Sequence, residues 1–136
     1  MDLERFKEAH GYDYPQALKE IRNGFKETHW MWYIFPQIDG LGSSYTAKYY
    51  ALKDLDDARA FLEDDYLGGH LIEITQALLD LDKDNPNSIF GYVDAMKLRS
   101  SMTLFYEASH QEIFKNVIEK YYQGEFDSRT LEILGK

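Results

Sequence analysis

The amino-acid sequence predicts an all-α protein, and three observations support this fold class. Helix-capping and helix-breaking residues recur along the chain and divide it into about eight helices, several of them short. No segment alternates apolar and polar residues over the length of a strand. Five apolar residues recur at steps of four, three, four and three, the period of one buried helix face: Leu67, Leu71, Ile74, Leu78 and Leu81.

The composition is that of a folded protein. The chain has 136 residues, which suits a single domain over residues 1–136. Hydrophobic residues make up 44% and charged residues 29%, values typical of globular rather than disordered proteins. Aromatic residues are enriched at 15%. We interpret them chiefly as an aromatic core, with the alternative that some rings line a stacking pocket.

Charge and sequence signals exclude several functional classes. The net charge of −9 disfavours binding to nucleic-acid duplexes and anionic membranes, although a local basic pocket is compatible with it. The absence of cysteine excludes disulfides and thiolate catalysis. The acidic amino terminus does not resemble a secretory signal, and the longest uncharged stretch, residues 28–38, is too short to cross a membrane. We expect a cytoplasmic protein, whose oligomeric state the sequence does not predict.

The first quarter of the chain predicts two helices. Asp2 is a suitable N-cap for a helix over residues 3–10, which we expect to end before Gly11. A second helix is predicted to begin at Pro15, because proline is favoured at the first helical position, and to end at Gly24.

Residues 29–35 are apolar on all sides, so their periodicity is consistent with a buried strand or a buried helix. No other segment predicts a partner strand, and we therefore favour a helical segment that Pro36 ends.

Residues 39–44 are predicted to form a loop. The remaining predictions are a helix over 45–52 capped by Ser44, helices over 55–63 and 66–81, a polar loop over 82–87, a helix over 95–108 capped by Asp94, a helix over 110–122, and a last helix opened by Ser128.

The aromatic segment around residues 29–37 is the first candidate site. His29 can titrate near neutral pH and is the candidate acid or base. Trp30 or Trp32 can stack on a base, a nicotinamide or a sugar, and Gln37 is a further ligand-binding candidate. The alternative is a core segment in which His29 makes a structural hydrogen bond.

The loop that leads into the helix at residue 45 is the second candidate. Gly42, Ser43 and Ser44 place a flexible backbone at a helix N-terminus, where free N–H groups favour phosphate or carboxylate. The segment lacks the lysine of a Walker loop and the strand of a dinucleotide-binding motif. The alternative is a flexible turn followed by an N-cap.

The helix over residues 95–108 is the third candidate. Lys97, Ser100 and Ser101 share one helical face, and Arg99 lies on another. Hydroxyls and cations on a helix can hold an anion. The alternative is that the serines permit close helix packing while Lys97 and Arg99 pair with carboxylates such as Asp94. The four histidines lack metal-ligand spacing, and no motif indicates a metal or a cofactor.

These motifs carry a family resemblance. The segments His29–Gln37, Gly40–Gly42 and Lys97–Phe105 resemble the bacterial family known as domain of unknown function 1810. The resemblance implies a small, helical, single-domain protein and brings no established activity. Members are sometimes labelled calpastatin, whose inhibitory segments are disordered. Because this composition is that of a folded protein, we interpret that label as a misassignment.

The sequence thus leads to two functional hypotheses. The first is a small-molecule site between residues 29–44 and the helix face of residues 97–103, with an anionic ligand such as a nucleotide or an ADP-ribose-like compound. Whether a reaction follows binding is left open. The second is a non-catalytic protein-interaction or structural domain.

Overall fold

The computed structural model describes residues 2–136. These residues form nine helices and contain no strand. The all-α prediction is confirmed. None of these helices combines the length and apolarity needed to cross a membrane. The helices are α1 (Glu4–Arg22), α2 (Met31–Ile34), α3 (Tyr45–Tyr50), α4 (Leu55–Glu63), α5 (Asp65–Asp80), α6 (Asn87–Phe90), α7 (Tyr92–Ser109), α8 (Glu112–Tyr122) and α9 (Ser128–Ile133).

The five longer helices enclose one hydrophobic core. Helix α5 packs against α1, α4 and α8, and α7 packs against α4 and α8. A row of buried rings crosses the interior, with centroids 5.1 Å apart between Phe6 and Phe61, 5.6 Å between Phe61 and Phe105, and 5.8 Å between Phe105 and Phe114. Because each ring comes from a different helix, this row joins α1, α4, α7 and α8.

Helix α1 corrects the prediction of two helices divided near Gly11. It continues from Glu4 to Arg22 with Pro15 inside it, although proline removes one helical hydrogen bond. The reason is tertiary burial: one face stays in the core along its length, through Phe6, His10, Tyr14, Ala17 and Ile21. His10 and Tyr14 are polar aromatic residues, so the sequence pattern did not mark them as members of that face.

The entry to α7 also differs from the prediction. Gly91 is its N-cap, and Asp94 lies within the first turn instead of capping the helix. The preceding segment, predicted as a polar loop over 82–87, contains the short helix α6 that follows Pro86. The side chain of Asp94 caps no helix and forms ion pairs with Lys26 and Lys97.

Residues 39–52 form a loop around α3 that backbone hydrogen bonds close. An isolated parallel bridge pairs Ile38 with Leu52. The N–H of Asp39 donates to the carbonyl of Leu52 at 2.8 Å, and the N–H of Leu52 donates to the carbonyl of Gln37 at 2.9 Å. These bonds pair backbone N–H and carbonyl groups that lie outside any helix, and they fix the position of Gln37 after α2.

Two histidines connect α1, α2 and α5. His10 is buried, its Nε2 lies 2.7 Å from the carbonyl oxygen of Tyr33, and its Nδ1 lies 2.9 Å from Nδ1 of His70. A carbonyl only accepts, so Nε2 of His10 carries the proton and Nδ1 of His10 accepts from His70. Burial lowers the pKa of His10 to about 4, an effect that the Tyr33 carbonyl only partly opposes.

Close packing between α4 and α5 depends on Gly68. A Cβ at this position would lie 1.9 Å from the carbonyl oxygen of Leu62, whereas one at Gly69 would meet nothing within 4 Å. We expect Gly68→Ala to lower the free energy of unfolding by several kcal/mol because backbone must move, and Gly69→Ala to raise it by about 0.5–1 kcal/mol through helix propensity. Urea denaturation of both variants measures this contrast, and equal effects would contradict the packing argument.

Stability should fall as the pH decreases from 6.5 toward 4. In this window the unfolded chain binds a proton at His10 and the folded protein does not, so protonation favours unfolding by up to roughly 3 kcal/mol. The measurement is the difference in unfolding free energy between pH 7 and pH 4. We expect His10→Gln to reduce that difference. An unaltered pH dependence in His10→Gln would show that His10 does not cause it.

Candidate ligand-binding groove

A groove of about 220 Å³ lies between the loop after α2, the first turns of α7 and the start of α9. Five of its lining residues are among the ligand-binding candidates of the sequence: Trp32, Gln37, Gly42, Lys97 and Ser100. The structure therefore brings together the three separate stretches that the sequence singled out. The other lining residues are Leu41, Val93, Met96, Asp127 and Arg129.

Lys97 lies at the centre of an electrostatic network in this groove. Its Nζ lies 3.9 Å from the ring centroid of Trp32, a cation–π contact, and 3.2 Å from Asp94. Asp94 also pairs with Lys26 at 2.9 Å. Burial raises the pKa of Asp94, but Lys26 and Lys97 outweigh that effect and hold it below the usual range. The single carboxylate of Asp94 thus forms ion pairs with two ammonium groups.

Buried Glu20 determines the path of the chain toward Trp32. Glu20 is 2% exposed, and its carboxylate accepts five hydrogen bonds. The donors are the side chain of Gln16, the backbone N–H groups of Glu27 and Thr28, the hydroxyl of Thr28, and the indole of Trp30 at 2.9 Å. Burial opposes ionisation, but the bonds from Thr28, Gln16 and Trp30 lower the pKa of Glu20 to about 2.

This anchoring separates the roles of the two tryptophans. Trp30 is 1% exposed and belongs to the core, so its ring is not available for stacking on a ligand. Trp32 is half-buried and faces the groove. Trp30 is the N-cap of α2 and Trp32 lies within its single turn, so the two side chains point in different directions.

The far wall of the groove is held by Asp127. Its carboxylate accepts from the hydroxyl of Ser100 at 3.2 Å and from the N–H and hydroxyl of Thr130 at 3.0 and 2.6 Å. Asp127 thereby caps α9 and fastens it to α7. Arg129 follows at the groove and has no side-chain hydrogen bond or ion pair within residues 2–136.

Arg129 is a lining residue that was not among the candidates of the sequence. The available signal was its position in the first turn of α9, where the helix dipole disfavours a cation.

The loop candidates divide among three roles. Gly42 lines the groove, and a Cβ there would lie 2.7 Å from Cβ of Ala47, so glycine permits this close approach. The hydroxyl of Ser44 accepts from the N–H of Ala47 at 3.1 Å and caps α3, as predicted. Ser43 is exposed and outside the groove lining. The six-residue helix α3 therefore does not present its N-terminus to the groove.

Three further candidates lie away from the groove. His29 is exposed and does not line it. Arg99 donates to the carbonyls of Glu125 at 2.7 Å and Phe126 at 3.2 Å, and so fastens α7 to the segment before α9. Ser101 is fully buried, where a small side chain suits close helix packing. The structural alternative named above describes Arg99, which also pairs with the carboxylate of Glu125 at 3.6 Å, and the buried Ser101. It equally describes the ion pair of Lys97 with Asp94.

The chemistry of the lining suits an anion better than a metal ion. It offers two cations, one carboxylate that Ser100 and Thr130 already occupy, an amide and the Trp32 ring. In residues 2–136 no three His, Asp or Glu side chains form a group that could hold a metal ion.

Comparison with known proteins identifies a family. The family described as "Protein of unknown function (DUF1810)" matches residues 1–134. The chain is also similar to the crystal structure of the conserved hypothetical protein Rv1873 from Mycobacterium tuberculosis, with 41% sequence identity and a TM-score of 0.96. The match covers 99% of this chain and 97% of that chain. No functionally curated protein matches.

Removal of the buried charge of Glu20 should destabilise the protein and release the segment of residues 27–30 that Glu20 anchors. We expect Glu20→Gln to lower the free energy of unfolding by about 2–4 kcal/mol, because the amide cannot accept all five hydrogen bonds. Urea denaturation measures the loss, and a red shift of the tryptophan emission would report exposure of Trp30. Glu27→Gln, at an exposed position, is the control and should change stability little. Equal stability of the two variants would contradict an anchoring role for Glu20.

Proposed function

This chain belongs to the DUF1810 family of proteins of unknown function, and we propose that its groove binds a small anionic molecule of the nucleotide or ADP-ribose-like class. The observation that carries the proposal is the meeting of Lys97, Arg129 and the Trp32 ring in one groove of a protein whose net charge is −9. With two cations and one carboxylate, the lining carries a net positive charge that would attract an anion locally.

The ion pairs within the groove leave positive charge for a ligand. Asp94 is shared between Lys26 and Lys97, so it does not neutralise both. Arg129 has no carboxylate partner in residues 2–136. An arriving phosphate or carboxylate would accept charge-assisted hydrogen bonds from Lys97 and Arg129, the geometry that makes guanidinium and ammonium groups common anion ligands.

The apolar part of the lining suits the ring of the ligand. Val93 is 63% exposed and Met96 is 53% exposed, and both lie beside Leu41 and Trp32. A base or a sugar that packs there would cover apolar surface now in contact with water. Because the ammonium of Lys97 covers one face of Trp32, a ring stacking on that face requires the flexible lysine to turn toward the anion.

The volume of the groove limits what it can enclose. About 220 Å³ accommodates one ring with one anionic group more readily than a complete dinucleotide. A longer, ADP-ribose-like ligand would extend beyond the rim. The proposal concerns binding and assigns no reaction, because the candidate acid or base His29 does not line the groove.

A second candidate function is protein interaction at the edge of the same groove. Tyr92, Val93 and Met96 are 69%, 63% and 53% exposed on the first two turns of α7. Exposed apolar side chains grouped in this way are typical of contact surfaces. This candidate requires no anionic ligand, so the experiment below separates the two.

Thermal-shift measurements with AMP, ADP, ADP-ribose and sugar phosphates test the proposal, with neutral adenosine as the matched compound. A ligand that binds only the folded state raises Tm by mass action. We expect Lys97→Ala and Arg129→Ala each to weaken binding by about five-fold or more, because each removes a charged donor. Folding should persist in Lys97→Ala, since Asp94 retains Lys26.

The control is Lys48→Ala, which removes an exposed lysine of α3 outside the groove lining. It should bind the ligand as the unmodified protein does. Absence of a shift across the whole panel, or equal losses in Lys48→Ala and Lys97→Ala, would overturn the proposal and favour the interaction surface.

A further inference from the structure

A second hollow, of about 360 Å³, lies where α1 faces α2 and α3, and it shares no lining residue with the groove. Its walls are rich in phenol rings. We name it the tyrosine pocket and define it by four tyrosines and two carboxylates: Tyr12, Tyr33, Tyr49, Tyr50, Glu8 and Asp13. The α1 residues of this set recur at helical spacing and therefore form one face of that helix.

The rings of the tyrosine pocket are inclined to each other. The centroids of Tyr33 and Tyr50 are 5.0 Å apart at 54°, and those of Tyr49 and Tyr50 are 4.9 Å apart at 80°. Tyr12 is 81% exposed and Tyr49 is 46% exposed, so these rings meet solvent instead of filling the core. Tyr45 stacks on Tyr49 with centroids 5.8 Å apart at 16° and covers one face of that ring, so the other face of Tyr49 is the one open to a ligand.

The carboxylates make this pocket attractive to a cation. Asp13 accepts a hydrogen bond from the hydroxyl of Tyr33. Glu8 has no hydrogen bond or ion pair from its side chain within residues 2–136, so its charge is uncompensated. Burial raises the pKa of Tyr50, the carboxylates of Glu8 and Asp13 add to this effect, and Arg5 partly opposes it, so the phenol of Tyr50 stays neutral.

Arg5 also lines the hollow, but its donors are already engaged. Its Nε donates to the carbonyl of Tyr49 at 2.7 Å, its Nη1 to that of Asp2 at 2.6 Å and its Nη2 to that of Ala51 at 3.4 Å. The guanidinium also lies 4.4 Å from the ring centroid of Phe6. It therefore fastens α1 to α3, while two carboxylates against one guanidinium leave the lining negative.

We propose that the tyrosine pocket binds a small organic ammonium ion, and a quaternary ammonium in preference to a metal ion. Ring faces attract a weakly hydrated organic cation, and Glu8 and Asp13 add the opposite charge. A metal ion would need several oxygen ligands in place of its water, and Asp13 is already engaged by Tyr33. An anion would be repelled by both carboxylates.

Binding of choline compared with 3,3-dimethylbutan-1-ol tests this inference. The alcohol has the same shape as choline with carbon in place of the charged nitrogen. In NMR titrations of the whole protein we expect choline to shift the ring resonances of the pocket tyrosines at ~1–10 mM, and the alcohol to bind at least about five-fold more weakly. Equal affinities of the two compounds, or no binding of choline, would overturn the inference.

Two pairs of variants locate the site. Tyr49→Leu should weaken choline binding by about three-fold or more, whereas Tyr66→Leu, at a tyrosine of similar exposure on α5, should not. Glu8→Gln should likewise weaken it, whereas Glu4→Gln, at an exposed carboxylate of α1 outside the lining, should not. Losses that are equal within each pair would indicate a general charge or surface effect and would overturn the assignment. Circular dichroism checks that each variant is folded.

Discussion

The buried carboxylate of Glu20 is the interaction on which the arrangement of the candidate site depends. An unpaired carboxylate in the core would be strongly destabilising, so the chain must supply donors to it. It does so with the loop after α1, whose backbone, Thr28 hydroxyl and Trp30 indole all turn toward Glu20. The position of α2, and therefore of Trp32, follows from that requirement.

Ion pairs connect the loop before α2 to helix α7. Lys26, in the loop after α1, forms an ion pair with Asp94 in the first turn of α7. Asp94 also pairs with Lys97, whose ammonium lies over the Trp32 ring. Side chains from distant parts of the sequence are thus fixed by shared charges rather than by neighbouring positions. Asp127 caps α9 and thereby fixes the start of this helix, where Arg129 lines the groove.

The short helix α2 divides the molecule into surfaces of opposite character. Trp32 faces a groove with a cationic lining, and Tyr33 faces the tyrosine pocket, where carboxylates predominate. Successive side chains of a single turn point apart, which explains how adjacent residues reach different solvent-facing hollows. The binding proposals for the two hollows require ligands of opposite charge, so each can fail without the other.

The sequence by itself determined the all-α class, the helices around Leu71 and Val117 and the Ser44 cap, because periodicity and capping are local properties. Only the tertiary structure decided that α1 continues through Pro15, since burial of His10 and Tyr14 along one face outweighs a local preference to break. It likewise placed Trp30 in the core and Trp32 in the groove, directed Arg99 and His29 elsewhere, and brought in Arg129. These outcomes depend on contacts between residues far apart in the chain, which no local pattern records.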